Sequence, residues 1–302
     1  MSLLDLTLLG QIQVGPVGQG VDQAVQWLLD NATGPFAWIH MFVSSLSQSL
    51  LSLLQLQPPW LMALEVSLLG LWRVGGGFAL FCLLGLNLVL QMGLWAAMVS
   101  TLALVLSASL LSLLIGLPIG VIAARQQQVW RVTRPLLDLM QTMPAFVYLI
   151  PAVMFFSTGQ VPSVIATLIF SMPPVVRLTV LGLQQVPNDL LEAGESFGCS
   201  PRQLLWKVEL PSALPTLMAG INQTIMLSLS MVVITSMIGG GGLGDVVLRA
   251  IQQLNVGLGV EGGLAVVILA VILDRLSQSL GRVQTDSFSD RWRAFRELWR
   301  AA

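Results

Sequence analysis

Charged residues are scarce in this sequence. They make up 10% of the 302 residues, against about 25% in soluble domains, while hydrophobic residues make up 55%. No charge occurs between positions 73 and 125, 138 and 177, or 209 and 245, and each gap has room for one or two membrane spans of about 20 residues. The composition excludes a soluble protein and predicts a polytopic membrane protein built from helices.

Groups suited to catalysis are also nearly absent. The chain has one histidine, His40, with no cluster of Cys, Asp or Glu around it, and two cysteines, Cys82 and Cys199, which we expect to be free thiols. We find no nucleophile with a base, no paired carboxylates and no metal-ligand spacing. We therefore predict that the chain is not an enzyme, holds no metal or cofactor itself, and has no nucleic-acid partner.

The positive charges fall into three groups. They are Arg125, Arg131 and Arg134; Arg202 and Lys207; and Arg282, Arg291, Arg293, Arg296 and Arg300. The positive-inside rule places all three groups in the cytoplasm, so residues 282–302 are predicted to form a basic cytoplasmic tail. Residues 1–26 lack a basic stretch followed by an apolar run, and we expect no cleaved signal peptide.

The apolar runs predict about seven spans. Five of them belong to a predicted core at 94–281 and cover 94–124, 136–157, 163–184, 215–238 and 262–280. Upstream, 58–93 is predicted to hold peripheral spans, although 60–72 is short and carries Glu65. Counting crossings places the N-terminus outside, or in the cytoplasm if 60–72 does not cross.

The first 57 residues mix polar and apolar residues and lack the long apolar runs of the rest of the chain. Val21, Ala24, Val25, Leu28 and Leu29 recur at helical spacing beside polar residues, which predicts an amphipathic surface helix. Residues 41–56 alternate Ser and Gln with apolar residues and carry no charge. This second piece either lies in the membrane interface or packs on the spans.

A polar insertion at 188–209 separates two of the apolar runs. Pro187-Asn188-Asp189 offers a helix start and Gly198 a stop. Ser200 is placed to cap a second helix, with Pro201 at its first position and Gln203 able to complete a capping box. The insertion is therefore predicted to form two short helices joined by a tight turn, with an apolar side that can seat on a partner.

Several motifs give this chain a family resemblance. Glu192-Ala193, then Gly198, then Leu210-Pro211 resemble the cytoplasmic EAA loop of ABC importer permeases. Further motifs resemble the permeases of glycine betaine/proline betaine ABC importers; they are RPLLD at 134–138, QTMPAFVY at 141–148, PPVVRLT at 173–179, GINQT at 220–224, SMVV at 230–233 and ILDR at 272–275. The similarity covers roughly residues 90 to 282.

The resemblance implies an all-α type I ABC importer permease fold with a cytoplasmic coupling-helix loop, in a bacterial inner membrane. It implies a second permease copy in a homodimer, two ATPase subunits that bind ATP and Mg²⁺, and an extracytoplasmic substrate-binding protein. Coupling to the ATPase would fall to Glu192, Ala193, Gly198, Ser200, Arg202, Leu205 and Pro211. About twenty residues follow the last predicted span, too few for a binding domain, so we expect that domain on a separate chain.

A betaine substrate would need aromatic faces, because a trimethylammonium group binds rings by cation–π attraction. The candidates for the translocation pathway are Phe146, Tyr148, Phe155, Phe156, Arg177 and Met231. Aromatic residues at helical spacing are also ordinary packing, and high-affinity recognition would then belong to the binding protein. Arg177 falls inside a span and needs a partner, for which Asp138 is available.

The glycine-rich run at 238–245 lacks the Gly-Lys-Ser/Thr ending of a P-loop. We predict a hinge or close-packing turn at the external end of a span, with Asp245, Arg249 and Glu261 as candidate contacts for the binding protein. A solvated loop is the alternative for these three charges.

The competing function is an ion-coupled secondary transporter of small zwitterions or quaternary amines, because spans interrupted by proline and glycine also suit that class. Such a transporter has no use for an ATPase-docking helix pair. The motifs leave open whether betaine, proline betaine, choline or carnitine is carried.

Overall fold

The computed structural model describes residues 15–31 and 33–281, and its regular structure there is helical throughout. We number the helices α1 Pro16–Asn31, α2 Thr33–Gln55, α3 Pro59–Arg73, α4 Gly76–Gln91, α5 Trp95–Arg125, α6 Gln127–Thr142, α7 Leu149–Phe156, α8 Gln160–Gln184, α9 Asn188–Ser196, α10 Pro201–Ser236, α11 Gly242–Gln252 and α12 Val256–Gly281. The predicted basic tail and residues 1–14 lie outside the described residues.

Within that described part, five helices are long and apolar enough to cross a membrane: α2, α5, α8, α10 and α12. A bent pair raises the number to six, which is fewer than the predicted seven. The difference lies upstream of α5, where α3 and α4 have 15 and 16 residues and fall short of the roughly 20 that a span needs. α2, by contrast, has the length of a span and packs Val43 against Leu104 and Val164.

The segment 136–157, predicted as one span, is broken. α6 and the helical segment Ala145–Phe156 meet at 110°, and that segment starts with the 3₁₀ turn Ala145–Tyr148. The break falls at Pro144, which has no N–H to continue the helix and forces Met143 into an extended conformation. α6 carries Arg131, Arg134 and Asp138 on a strongly amphipathic helix, which suits an interface better than a lipid core.

The centre of the fold is the contact among α5, α8 and α10. Small residues let these helices approach closely: a Cβ on Gly120 would lie 2.6 Å from the Cβ of Thr179, and one on Gly220 would lie 3.1 Å from the Cβ of Leu178. Hydroxyl pairs add polar contacts, with Ser112 and Ser171 Oγ atoms 3.1 Å apart. α5, α8 and α10 can therefore pack this closely only because the side chains at their contacts are small.

Contacts at the helix ends define two opposite ends of the bundle. At one, which we call the insertion end, Arg125 pairs with Glu209, and Gly281 lies against Met218. At the other, which we call the glycine end, the N–H of Gly159 donates to the carbonyl of Ile238 at 2.7 Å. α5, α8 and α12 run from the glycine end to the insertion end, and α10 runs the opposite way.

We expect Gly120→Ala to lower the free energy of unfolding by about 1–3 kcal/mol, because the new methyl group would press on the buried Thr179 and on the carbonyl of Val176, 3.0 Å away. Gly263→Ala is the matched control, since a Cβ there meets nothing within 4 Å and alanine favours the helix by up to about 1 kcal/mol. Thermal unfolding in detergent compares the two. Equal melting temperatures for both variants would contradict the packing described.

Candidate functional site

The polar insertion has the predicted two helical parts joined by a tight turn. α9 ends in a Schellman motif, in which the N–H of Cys199 donates to the carbonyl of Gly194 at 3.1 Å and that of Gly198 to Glu195 at 2.8 Å. Gly198 has φ +77°, a left-handed conformation that glycine adopts without strain. The turn therefore requires at position 198 a residue that tolerates positive φ, and glycine tolerates it best.

The second helical part begins as the sequence predicts. The Ser200 side chain accepts a hydrogen bond from the N–H of Gln203, the Gln203 side chain accepts one from the N–H of Ser200 at 2.8 Å, and Pro201 occupies the first turn. It is not a separate short helix, however. It continues without interruption into the next span as α10, through a single π-helical turn at Leu205–Glu209.

The two parts of the insertion pack on each other and on the spans. A Cβ on Gly194 would lie 2.6 Å from the Cδ1 of Leu204, so this glycine brings α9 against α10. Leu205 contacts the cluster of Leu183, Ala213 and Leu217 and so anchors the insertion to the spans. Sequence reasoning passed over Gly194, although a glycine inside a short helix is itself a signal of close approach.

The face turned away from the spans is partly apolar. Phe197 is 90% exposed and Trp206 70% exposed. Leu190 is also exposed, and so are the predicted coupling residues other than Leu205: Glu192, Ala193, Gly198, Ser200, Arg202 and Pro211. We call Leu190, Phe197 and Trp206 the insertion face. The helical pattern did not single out Trp206, because its neighbours Leu204 and Leu205 share the apolar character but point inward.

An ion pair that the sequence did not reveal fixes the base of the insertion. Arg125, the last residue of α5, donates from Nη2 to Oε1 of Glu209 at 2.8 Å and to the carbonyl of Pro201 at 3.3 Å. The Glu209 side chain is only 13% exposed. No spacing rule links positions 84 residues apart, so only the folded chain brings them together.

The predicted pathway residues are not gathered into one aromatic cage. Phe155 stacks on Phe36 of α2 with ring centroids 4.6 Å apart, and Phe156 meets the edge of the same ring. Both phenylalanines line a cavity of about 660 Å³ beside α2. Phe146 is 54% exposed and is not among the residues that line this cavity.

Tyr148 and Met231 share a buried cluster. The Tyr148 hydroxyl donates to the carbonyl of Met140 at 2.6 Å, and its ring meets Phe170 edge-on. The predicted partner of Arg177 is confirmed, since its Nη2 lies 2.5 Å from Oδ1 of Asp138. These contacts tie α6 and the bend after it to α8 and α10.

The glycine-rich run is predicted from the sequence to be a hinge or a close-packing turn. In the structure it forms a close-packing turn. A Cβ on Gly242 would lie 2.4 Å from Oγ1 of Thr101, and one on Gly244 would lie 2.3 Å from the carbonyl oxygen of Val232. Thr101 Oγ1 also accepts the N–H of Leu243 at 2.8 Å. Beside the turn, Asp245 and Arg249 pair within α11 at 3.3 Å.

The family model described as "Binding-protein-dependent transport system inner membrane component" matches residues 116–284. The chain is 48% identical over 278 residues to the glycine betaine/proline betaine transport system permease protein ProW of Escherichia coli (strain K12), covering 92% of this chain and 78% of that one. It is 46% identical to the glycine betaine permease OpuAB of Bacillus subtilis (strain 168), covering 88% and 94%.

Among solved structures, the chain resembles an inward-facing MetNI methionine ABC transporter, with a TM-score of 0.60, 22% identity, and coverage of 65% of this chain and 98% of that one. This likeness supports the fold. Together the comparisons confirm both the family resemblance and the all-α importer-permease fold that the motifs predicted.

We expect Gly198→Val to open the turn, because a β-branched residue is strained at positive φ by about 1–2 kcal/mol. Cys199 reports on this directly, since it forms the Schellman bond and the other cysteine, Cys82, is fully buried. The rate of maleimide labelling should rise in Gly198→Val. Gly198→Asn is the control, because asparagine tolerates this conformation, and an equal rise in both variants would contradict the assignment.

Proposed function

The chain belongs to the family of binding-protein-dependent transport system inner membrane components, and on that basis we propose that it is the pathway-forming permease of an ATP-driven importer of quaternary-ammonium osmolytes. The membership rests on a family model that covers more than half of the chain and on a 48% identical relative. The permease does not hydrolyse ATP in this proposal. A partner ATPase binds ATP and Mg²⁺ and does so.

The insertion face is the proposed docking site of that ATPase. It combines two large exposed apolar side chains, Phe197 and Trp206, with a capped turn and a continuous helix into the spans. Aromatic anchors of this kind contribute most of the binding energy when they enter a pocket on a partner. Around them lie the exposed Glu192 and Arg202, which form a polar rim.

The insertion end faces the cytoplasm in this proposal, because Arg125, Arg202 and Lys207 all lie there. The glycine end then faces outward, where Asp245, Arg249 and Glu261 are proposed contacts for the substrate-binding protein. Two permease copies and two ATPase subunits complete the assembly. The C-terminus lies in the cytoplasm in this proposal, and six crossings, an even number, place the N-terminus on the same side.

The proposed substrate class is glycine betaine and related methylated zwitterions. Support comes from the similar proteins, which are permeases for glycine betaine and proline betaine in Escherichia coli and for glycine betaine in Bacillus subtilis. The dispersal of the aromatic candidates fits a pathway with little affinity of its own, so we assign selection among osmolytes to the binding protein. Phe146, Tyr148, Phe155, Phe156, Arg177 and Met231 remain pathway candidates.

We expect Trp206→Ala to reduce co-purification of the ATPase with this chain by about tenfold or more, because truncating a buried aromatic anchor typically costs 2 kcal/mol or more. Trp60→Ala is the matched control, since Trp60 is also exposed, at 65%, but lies on α3 outside the insertion. Quantitative pull-down from membranes containing the whole importer measures both. Equal recovery of the ATPase in the two variants would contradict the docking site.

The energy source separates the proposal from ion-coupled transport. The whole importer in liposomes should accumulate glycine betaine only with ATP and the binding protein present. Accumulation by the purified chain alone, driven by an ion gradient, would overturn the proposal in favour of a secondary transporter.

A further inference from the structure

The Arg125–Glu209 pair lies where the insertion joins the spans. Glu209 closes the π-helical turn Leu205–Glu209, and Pro201 opens the helix that contains it. One guanidinium nitrogen, Nη2 of Arg125, contacts both the Glu209 carboxylate and the Pro201 carbonyl. The two ends of the α10 segment that carries Trp206 are thus held by the last residue of α5.

The π-helical turn gives the residues before it two alternative rotations about the helix axis. A π turn inserts one extra residue into an α-helix and often occurs at functional sites. If it closes into an α-helical turn, the residues upstream shift by one position, which rotates them by about 100° around the helix axis. Contacts from outside the helix help to select one of these orientations, and they include the packing of Leu205 on Leu183 and the contacts of Arg125.

Arg125 is suited to that task. It sits at the C-terminus of α5, where a positive charge is stabilised by the helix dipole, and Glu209 is mostly shielded from water. A partly buried carboxylate that loses its cation is left uncompensated, so the pair resists separation. The guanidinium also has the geometry to contact two oxygens at once.

We propose that Arg125 and Glu209 are positioning residues for energy coupling. Their ion pair fixes the rotation of the insertion relative to α5, so that movement of the docked insertion is transmitted to α5 as well as along α10. This inference rests on the proposed ATPase docking, and it adds a second route by which the insertion moves the spans. Neither residue needs to touch the ATPase or the substrate.

The test is a charge swap in the whole importer, purified with its ATPase and binding protein and reconstituted in liposomes. We measure glycine betaine imported per ATP hydrolysed in Arg125→Glu, in Glu209→Arg and in the double variant. Each single variant should lower this ratio by about fivefold, the effect expected for loss of one favourable ion pair, while ATP hydrolysis continues. The double variant should restore the ratio, because it rebuilds the pair in reverse.

Arg131→Glu is the matched control. Arg131 lies on α6, where its side chain donates a hydrogen bond to Gln127 of the same helix at 3.5 Å, so reversing its charge should leave the ratio unchanged. Glu209→Gln provides a milder variant where a reversal fails to assemble. It removes the charge and retains the shape of the side chain. It should also lower the amount of glycine betaine imported per ATP hydrolysed.

The outcomes are distinct. An unchanged ratio in the single variants or in Glu209→Gln overturns the inference, and so does a fall that the double variant does not restore. A general folding defect would lower import and hydrolysis together and leave their ratio unchanged, which also counts against it. Failure of the docking proposal is seen in a different experiment, the pull-down, where recovery of the ATPase would then not depend on Trp206.

Discussion

The close approach of α5, α8 and α10 is the constraint on which the rest of this structure depends. In a bilayer, burial of apolar surface does not drive helices together, so association relies on van der Waals contact and interhelical hydrogen bonds. Gly116, Gly120, Gly182 and Gly220 permit that contact, since a Cβ at each would lie within about 3.1 Å of a neighbouring side chain. The same three helices reach both the insertion end and the glycine end.

The continuity of α10 gives this packing a functional meaning. One helix runs from the capped start at Pro201 to Ser236, next to the glycine end. Its first turns hold Trp206, and beyond its last turn the chain enters the glycine run that packs on Thr101 of α5. A displacement at the insertion thus reaches both ends of the bundle through one helix. Arg125 adds a second attachment, to the other end of α5.

Much of this could be predicted from sequence, where local chemistry decides the structure. The capping box at Ser200 and the stop at Gly198 follow from backbone conformations that particular residues favour. Long uncharged runs identified α5, α8 and α12 because hydropathy and length are enough to define a span. The family motifs predicted the fold, which the comparisons confirm, and a coupling role for the insertion, which stays a prediction.

The features that the sequence did not reveal depend on tertiary contacts. A proline at 144 is enough to break the helix, but the 110° angle of the break depends on how α6 packs. The inward position of Leu205 likewise depends on where α8 and α10 meet. Trp206 and Leu205 are adjacent and both apolar, and only packing against Leu183 and Leu217 distinguishes them. The pairing of Arg125 with Glu209 is likewise a product of the fold.

The central claim is that the insertion contacts an ATPase. Cys199 tests it in the native chain, because this thiol lies in the turn next to Phe197 while Cys82 is buried. A short thiol-to-amine cross-linker applied to the intact importer should join this chain to the ATPase through Cys199. Absence of that adduct in an importer that retains its ATPase and in which Cys199 reacts with the linker would contradict the account.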